Sequence, residues 1–152
     1  TALDYFGPAQ LVSASVRSIR GGADDDVTLV LRHESGVDSY LAASAVSGAP
    51  GPRVRLLGSK GALVINQLDP QEDALRAGEI PHGGAWSRPM TNAALIHRGE
   101  EAFPVESVSG NYAAFYSLVK AAIENGSAAP VSLADALRVA EIIEEARAIS
   151  VR

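Results

Sequence analysis

Five short apolar runs follow one another in the first 65 residues, and this succession limits the possible folds more than any other feature of the chain. The connections between them are short and rich in Gly, Ser, Asp and Pro. Parallel neighbours need a crossover of about a dozen residues, so short connections predict antiparallel strands. The clearest hairpin is RVRLLGSKGALVIN, in which Gly58 and Gly61 can supply the positive φ of a tight turn.

The first strand is predicted to follow the end of a short helix. Ala2–Phe6 is apolar on one side, and the Gly-Pro pair after it ends the helix because proline forbids continuation. In the run QLVSASVRSI, alternation predicts that Val12, Ala14 and Val16 lie on the buried face.

The pattern changes after residue 65: the middle is predicted to combine a short helix, a loop over residues 78–92 and two short strands, and the end of the chain is predicted to be helical. Pro70–Ala77 favours a short helix with proline at its first position, and AALIHRGEEAFPVESV favours two short strands. NYAAFYSLVKAAIENG has an apolar stripe at helical spacing, formed by Tyr112, Phe115, Tyr116, Val119 and Ile123. The last helix is predicted to begin at Ser132-x-x-Asp135, a variant capping box. Its expected apolar face consists of Leu133, Leu137, Ala140, Ile143 and Ala146.

This order of elements predicts the α+β class over residues 1–152, as a single domain. We expect an open, mostly antiparallel β-sheet with helices packed on one face. A chain of 152 residues is long enough for one sizeable core.

Composition excludes several classes of partner. A net charge of −5 argues against nucleic acid, which needs a basic binding face. No apolar run approaches the roughly 20 residues that span a bilayer, so no membrane partner is expected. The chain has no cysteine, which rules out disulfides, zinc-thiolate sites and cysteine nucleophiles. A reducing cytoplasm is compatible with this composition, and we predict that location.

The residues alone indicate no self-contained catalytic site. Asp24, Asp25 and Asp26 are consecutive and lack the spacing of a calcium loop, so they are interpreted as a solvated turn, and no metal site is predicted. The GSKG segment leads into a strand rather than a helix, which rules out a phosphate loop. The sequence has no GxGxxG fingerprint and no GxSxG elbow. His33 and His97 are interpreted as partly exposed sheet residues.

Four stretches, taken in order, resemble the C-terminal domain of the Gfo/Idh/MocA family (glucose-fructose oxidoreductase, inositol dehydrogenase and rhizopine catabolism proteins). They are ALDYFGPAQLVSASV, VRLLGSKGALVI, NYAAFYSLVKAAIENG and PVSLADALRVAEIIEEARAIS. The resemblance implies a full-length protein that binds NAD or NADP in an N-terminal Rossmann domain and oxidises a sugar or polyol. The family's Glu-Lys-Pro and Asp-x-x-x-His motifs have no counterpart here. We therefore expect no catalytic residue, no bound cofactor and no activity in this chain alone.

The resemblance also implies a substrate site between the two domains. Sugars need hydrogen-bonding groups beside an aromatic surface, and four residues fit that need: His82, Trp86, Arg88 and Tyr112. We predict these as substrate-binding residues, although Trp86 can equally cover the sheet and Tyr112 can equally belong to the core. The family commonly pairs subunits through the open sheet face, so a homo-oligomer is expected. The alternative function is a stand-alone interaction module that dimerises through the same face without catalysis.

Overall fold

The computed structural model describes residues 1–49, 51–67, 69–80, 86, 94–106 and 108–150. Its helices and strands, in chain order, are α1 (Ala2–Phe6), β1 (Ala9–Arg17), β2 (Asp26–His33), β3 (Asp38–Ser44), β4 (Val54–Gly58), β5 (Gly61–Ile65), α2 (Pro70–Arg76), β6 (Ala94–Arg98), β7 (Glu101–Val105), α3 (Tyr112–Asn125) and α4 (Leu133–Ile149). All five described strand pairs are antiparallel. The predicted α+β class is confirmed.

The strands form two open sheets, where the sequence favoured one. The first has the order β1-β2-β3 and the second has the order β4-β5-β6-β7. Contacts divide the chain into two compact units accordingly, residues 1–48 with 131–152 and residues 49–130. The extent of a single domain stays a prediction.

In the first unit, α1 ends where the sequence predicts. Gly7 adopts φ 80°, a left-handed conformation that glycine tolerates without strain, and its N–H donates to Leu3 O at 2.8 Å. The core of this unit contains Ala9, Leu31 and Ile142, with Leu3 and Leu11 packed against them.

The predicted buried face of β1 is wrong at Val12. Leu11 pairs with Leu31 and Ser13 pairs with Val30, so Val12 is an extra residue in a β-bulge. A bulge moves the following side chains to the opposite phase of the alternation. Val12 is consequently 52% exposed, while Leu11 turns toward the core. Ala14 and Val16 are half-buried, in agreement with the expectation for those two residues.

Helix α4 packs along β1 with a face that was only partly predicted: Ala146 is buried as expected, whereas Ile142 was not on the predicted face. Ser132 caps its N-terminus by accepting from Asp135 N–H, which confirms the predicted start of the helix and its serine N-cap. The buried residues are Ile142 and Ala146. Of the predicted apolar face, Leu133, Leu137 and Ile143 are exposed. Arg138, one turn before Ile142, lies on the side of the helix that meets β1, because its guanidinium donates to Ala9 O at 2.8 Å.

The second unit confirms the predicted hairpins and helices. β4 and β5 are joined by Ser59-Lys60, and β6 and β7 form the second hairpin. Asp69 caps α2, and Asn111 caps α3 by accepting from Ala114 N–H at 3.1 Å. None of the 14 residues of α3 is buried. The apolar stripe predicted from the sequence is therefore largely exposed on this helix.

Candidate functional site

Two of the four predicted substrate-binding residues lie within the described part of the chain. Tyr112 is the first residue of α3 and is 40% exposed. Trp86 is half-buried. His82 and Arg88 lie outside the described residues, so their assignment stays a prediction.

Tyr112 lies at a junction where the N-termini of α2 and α3 meet. The Oε1 atom of Gln71 accepts from the backbone N–H of Tyr112 at 3.1 Å. The Gln71 backbone N–H in turn donates to Asp69 Oδ1 at 2.9 Å, and its Nε2 lies 3.4 Å from Asp69 Oδ2. Gln71 is 4% exposed, so this amide is a buried polar link between the two helices. Sequence reasoning missed Gln71 because it lies 41 residues from its partner.

Gly110 is part of the same junction because the chain passes close to the α2 cap there. A Cβ built at this position would lie 1.7 Å from Asp69 Oδ2 and 2.6 Å from Gln71 Nε2. Any side chain there would have to displace the Asp69 carboxylate and the Gln71 amide, which favours glycine just before Asn111. The junction therefore holds the start of α3, and with it Tyr112, against α2. A half-exposed phenol on a fixed backbone can offer both an aromatic face and a hydrogen-bonding hydroxyl to a ligand.

A second polar cluster lies in the first unit, around His33. The prediction of a partly exposed His33 is wrong, because its side chain is 2% exposed. Nδ1 lies 2.8 Å from Gly7 O, and Nε2 lies 2.8 Å from Ser39 Oγ. A serine hydroxyl bonded to an oriented imidazole is the arrangement of a hydrolase nucleophile and its base. Ser39 is itself only 8% exposed, so a substrate carbonyl has no access and the cluster is structural.

The aspartate run in the β1–β2 connection is more ordered than a solvated turn. Asp25 is 8% exposed and accepts from Ile19 N–H at 2.7 Å and from Arg20 N–H at 3.0 Å. These backbone bonds, followed by the Arg20 side chain, hold the pKa of Asp25 below its usual value. Asp24 instead accepts from Arg147 of α4 at 3.1 Å. Across the described ranges, no three His, Asp or Glu residues are grouped as a metal site.

The described residues do not fit a nicotinamide dinucleotide. Dinucleotide sites use a parallel βαβ unit with a glycine-rich turn, whereas all the strand pairs described here are antiparallel. Within the described ranges, no helix has the length and apolar character needed to cross a membrane. These residues thus define an α+β domain whose sheets differ in class from those of nucleotide-binding domains.

Comparison with known proteins identifies this domain. Residues 3–149 match the family model of the Gfo/Idh/MocA C-terminal domain, which is described as "Oxidoreductase family, C-terminal alpha/beta domain". The match spans nearly all of the sequence. The chain therefore belongs to the Gfo/Idh/MocA oxidoreductase family, as the resemblance predicted.

Individual relatives support the same assignment. The chain is 28% identical over 151 residues to scyllo-inositol 2-dehydrogenase (NADP(+)) of Bacillus subtilis, covering 95% of this chain and 42% of that protein. It is 33% identical over 148 residues to the uncharacterized oxidoreductase YdgJ of Escherichia coli, covering 94% of this chain and 42% of that protein. The solved structure of the oxidoreductase yvaA from Bacillus subtilis superposes with a TM-score of 0.84 at 29% identity, covering 98% of this chain and 46% of that chain. The chain thus spans less than half the length of these relatives.

Proposed function

We propose that this chain is the C-terminal, substrate-binding part of an NAD(P)-dependent oxidoreductase that acts on a sugar or polyol. The observation that carries the proposal is the match of residues 3–149 to the family's C-terminal domain. The name of the Bacillus subtilis relative supports a cyclic polyol as substrate and NADP as cofactor. The cofactor is assigned to a separate N-terminal part, because the described residues do not form a dinucleotide site.

Tyr112 is proposed to contact the substrate. Its phenol is half-exposed, and its backbone is held by the buried amide of Gln71. Polyol hydroxyls pair with such a group, and a fixed backbone reduces the entropy lost on binding. Trp86, His82 and Arg88 belong to the same proposal on the basis of their residue types.

The natural full-length reading frame provides the test. The purified protein is incubated with NAD⁺ or NADP⁺ and a panel of sugars and polyols that includes scyllo-inositol, and the reduced nicotinamide is measured. We expect reduction with at least one polyol, and none with residues 1–152 alone. A full-length protein that binds neither nucleotide would contradict the proposal.

A matched pair of variants tests Tyr112 in that assay. Tyr112→Phe removes one hydrogen bond, so the KM for the polyol is expected to rise about threefold to tenfold. Tyr116→Phe is the control, because Tyr116 lies on the same helix and is 71% exposed. An equal effect of the two changes would exclude Tyr112 from the site.

We further propose that the protein is a homo-oligomer through the open face of the β4–β7 sheet. The strand register places an apolar row across all four strands on one face, formed by Leu56, Leu63, Ile96 and Phe103. A cleft of about 560 Å³ is lined by Leu56, Leu63 and Ile96 of this row, and Phe103 at its other end is 44% exposed. Exposed apolar surface of this kind is typical of subunit contacts.

Sedimentation equilibrium of the full-length protein tests the oligomer. Phe103→Asp is expected to weaken self-association, whereas Ala102→Asp, one residue away on the opposite face, is expected to leave it unchanged. The stand-alone interaction module makes the same prediction for sedimentation. It differs in expecting no nicotinamide reduction from the full-length protein.

A further inference from the structure

The end of α1 is held by the β2–β3 corner, which we define as residues 33–39. Three consecutive carbonyls each accept one hydrogen bond from this corner: Phe6 O from Ser35 Oγ at 3.1 Å, Gly7 O from His33 Nδ1 at 2.8 Å, and Pro8 O from Glu34 N–H at 3.0 Å. The rings of Phe6 and His33 also meet edge to face, with centroids 5.4 Å apart. Every carbonyl between the helix and β1 is therefore attached to the same corner.

The partners of His33 determine which nitrogen donates. A backbone carbonyl can only accept, so Nδ1 must bear the proton that bonds Gly7 O. In the neutral ring Nε2 is then an acceptor, and Ser39 Oγ–H at 2.8 Å is its donor. The imidazole is 2% exposed with both nitrogens paired, so it links α1 to β3 through a buried chain of hydrogen bonds.

The direction of α1 has to come from these contacts. A helix of five residues has little stability of its own, and α1 contains no buried residue. Glycine populates many backbone conformations, so without these contacts Gly7 would let α1 take many directions relative to β1. Leu3 of α1 also packs against the core of the first unit.

We propose that His33 is a positioning residue: the β2–β3 corner is a rigid joint that fixes the direction in which α1 leaves the sheet. The second half of this inference rests on the proposed function. In the full-length oxidoreductase the cofactor-binding part precedes α1, so the joint sets the direction in which that part leaves the first unit. Misplacement of reacting groups by about 1 Å can cost about 100-fold in rate.

Two substitutions separate the hydrogen bonds of His33. The side-chain amide of Asn can place an N–H near the position of Nδ1, so His33→Asn keeps the donor to Gly7 O and loses the contact with Ser39. The amide of Gln reaches the position of Nε2, so His33→Gln keeps the contact with Ser39 and loses the donor to Gly7 O. Both variants are neutral and polar, which makes them a matched pair.

The experiment uses the natural full-length protein with two readouts. The first is hydrogen exchange of a peptide spanning α1, normalised to a peptide from β2. We expect His33→Gln to speed exchange in α1 at least about tenfold, as loss of about one hydrogen bond implies, and His33→Asn to change it much less. Equal exchange rates in the two variants, or an unchanged exchange rate in α1, would contradict the proposal that this corner fixes the direction of α1.

The second readout is the split between kcat and KM. With a polyol identified as substrate, His33→Gln is expected to lower kcat about tenfold or more with KM nearly unchanged, and His33→Asn is expected to recover most of that loss. Equal kcat values in the two variants would overturn the positioning role. If the full-length protein reduces no nicotinamide, the proposed function fails, while the exchange readout still decides the joint.

A variant at an exposed position of the same corner tests the proposal even if substitutions of the buried His33 prevent folding. Ser35→Ala removes only the exposed bond to Phe6 O. We expect exchange in α1 to rise about threefold, with the β2 peptide unchanged. Ser15→Ala, an exposed serine on β1, is the control and is expected to change neither peptide. No difference between the two serine variants would overturn the joint.

Discussion

Val16 and Ser150 exchange two hydrogen bonds where the end of α4 meets β1. Val16 N–H donates to Ser150 Oγ at 2.7 Å, and Ser150 Oγ–H donates to Val16 O at 3.1 Å. At the other end of β1, Arg138 Nη2 donates to Ala9 O. β1 is an edge strand of the β1-β2-β3 sheet, and edge strands have unpaired backbone groups that attract other chains. Helix α4 thus satisfies backbone groups at both ends of this edge.

Replacement of Ser150 by Ala tests the contribution of that contact. The change leaves a partly buried N–H and carbonyl of Val16 without this partner, so the free energy of unfolding should fall by about 1–3 kcal/mol. Urea denaturation followed by circular dichroism measures the loss. Ser127→Ala, at an exposed position, should change stability by less than about 0.5 kcal/mol. Equal stability of the two variants would show that the Ser150 contact is energetically neutral.

The β-bulge at Val12 makes a prediction opposite to that of simple alternation. Leu11→Ala removes a side chain packed against the core and should destabilise the protein by about 1–3 kcal/mol. Val12→Ala removes a side chain that projects into solvent and should cost less than about 1 kcal/mol, mainly through strand propensity. Thermal denaturation of both variants decides between them. A larger loss for Val12→Ala would place the alternation back in the phase that the sequence indicates.

The features predicted correctly from the sequence depend on local chemistry. The Gly58–Gly61 turn, the Pro70 helix start and the Ser132 cap each follow from a few neighbouring residues. The errors depend on contacts between distant residues. No local signal marks the bulge at Val12 or the burial of His33, whose partners are Gly7 and Ser39.

The candidate site divides in the same way. The start of α3 at Tyr112 was predictable from helical spacing. The amide of Gln71 that holds it was not, because α2 and α3 are far apart in the chain. The buried face of α4 was only partly predicted: Ala146 is buried as expected, but the contact of Arg138 with Ala9 O joins residues 129 apart and has no local signal.

Acid should destabilise the first unit through Asp25. Its backbone bonds to Ile19 and Arg20 lower its pKa in the folded state. A depressed carboxyl pKa contributes stability above the unfolded value of about 3.9, and that contribution is lost as pH falls through the folded value. We therefore expect the melting temperature of the protein to decrease when the pH is lowered past about 4. Asp25→Asn should be less stable at neutral pH and should lose less stability on acidification.

Asp38→Asn is the control for this pH series. The side-chain bond from Arg32 lowers the pKa of Asp38 as well, but the Arg32 side chain is largely exposed. Exposed ion pairs contribute little because water and salt screen them. The pH dependence of Asp38→Asn should therefore stay close to that of the unmodified protein. A flatter profile for Asp38→Asn than for Asp25→Asn would show that the ion pair, rather than the backbone bonds, controls the acid transition.

The close approach of Gly110 to Asp69 predicts a coupling between the two residues. In Gly110→Ala the new methyl group must displace the Asp69 carboxylate, whose Oδ2 would lie 1.7 Å away. Loss of an N-cap costs about 0.5–2 kcal/mol, so this variant should be destabilised by an amount in that range. Gly48→Ala is the control, since its Cβ would meet no atom within 4 Å.

Serine also caps helices and is shorter, so Gly110→Ala should cost less in an Asp69→Ser background. The cycle is measured by urea denaturation of the four proteins, and an equal cost in both backgrounds would place the strain elsewhere.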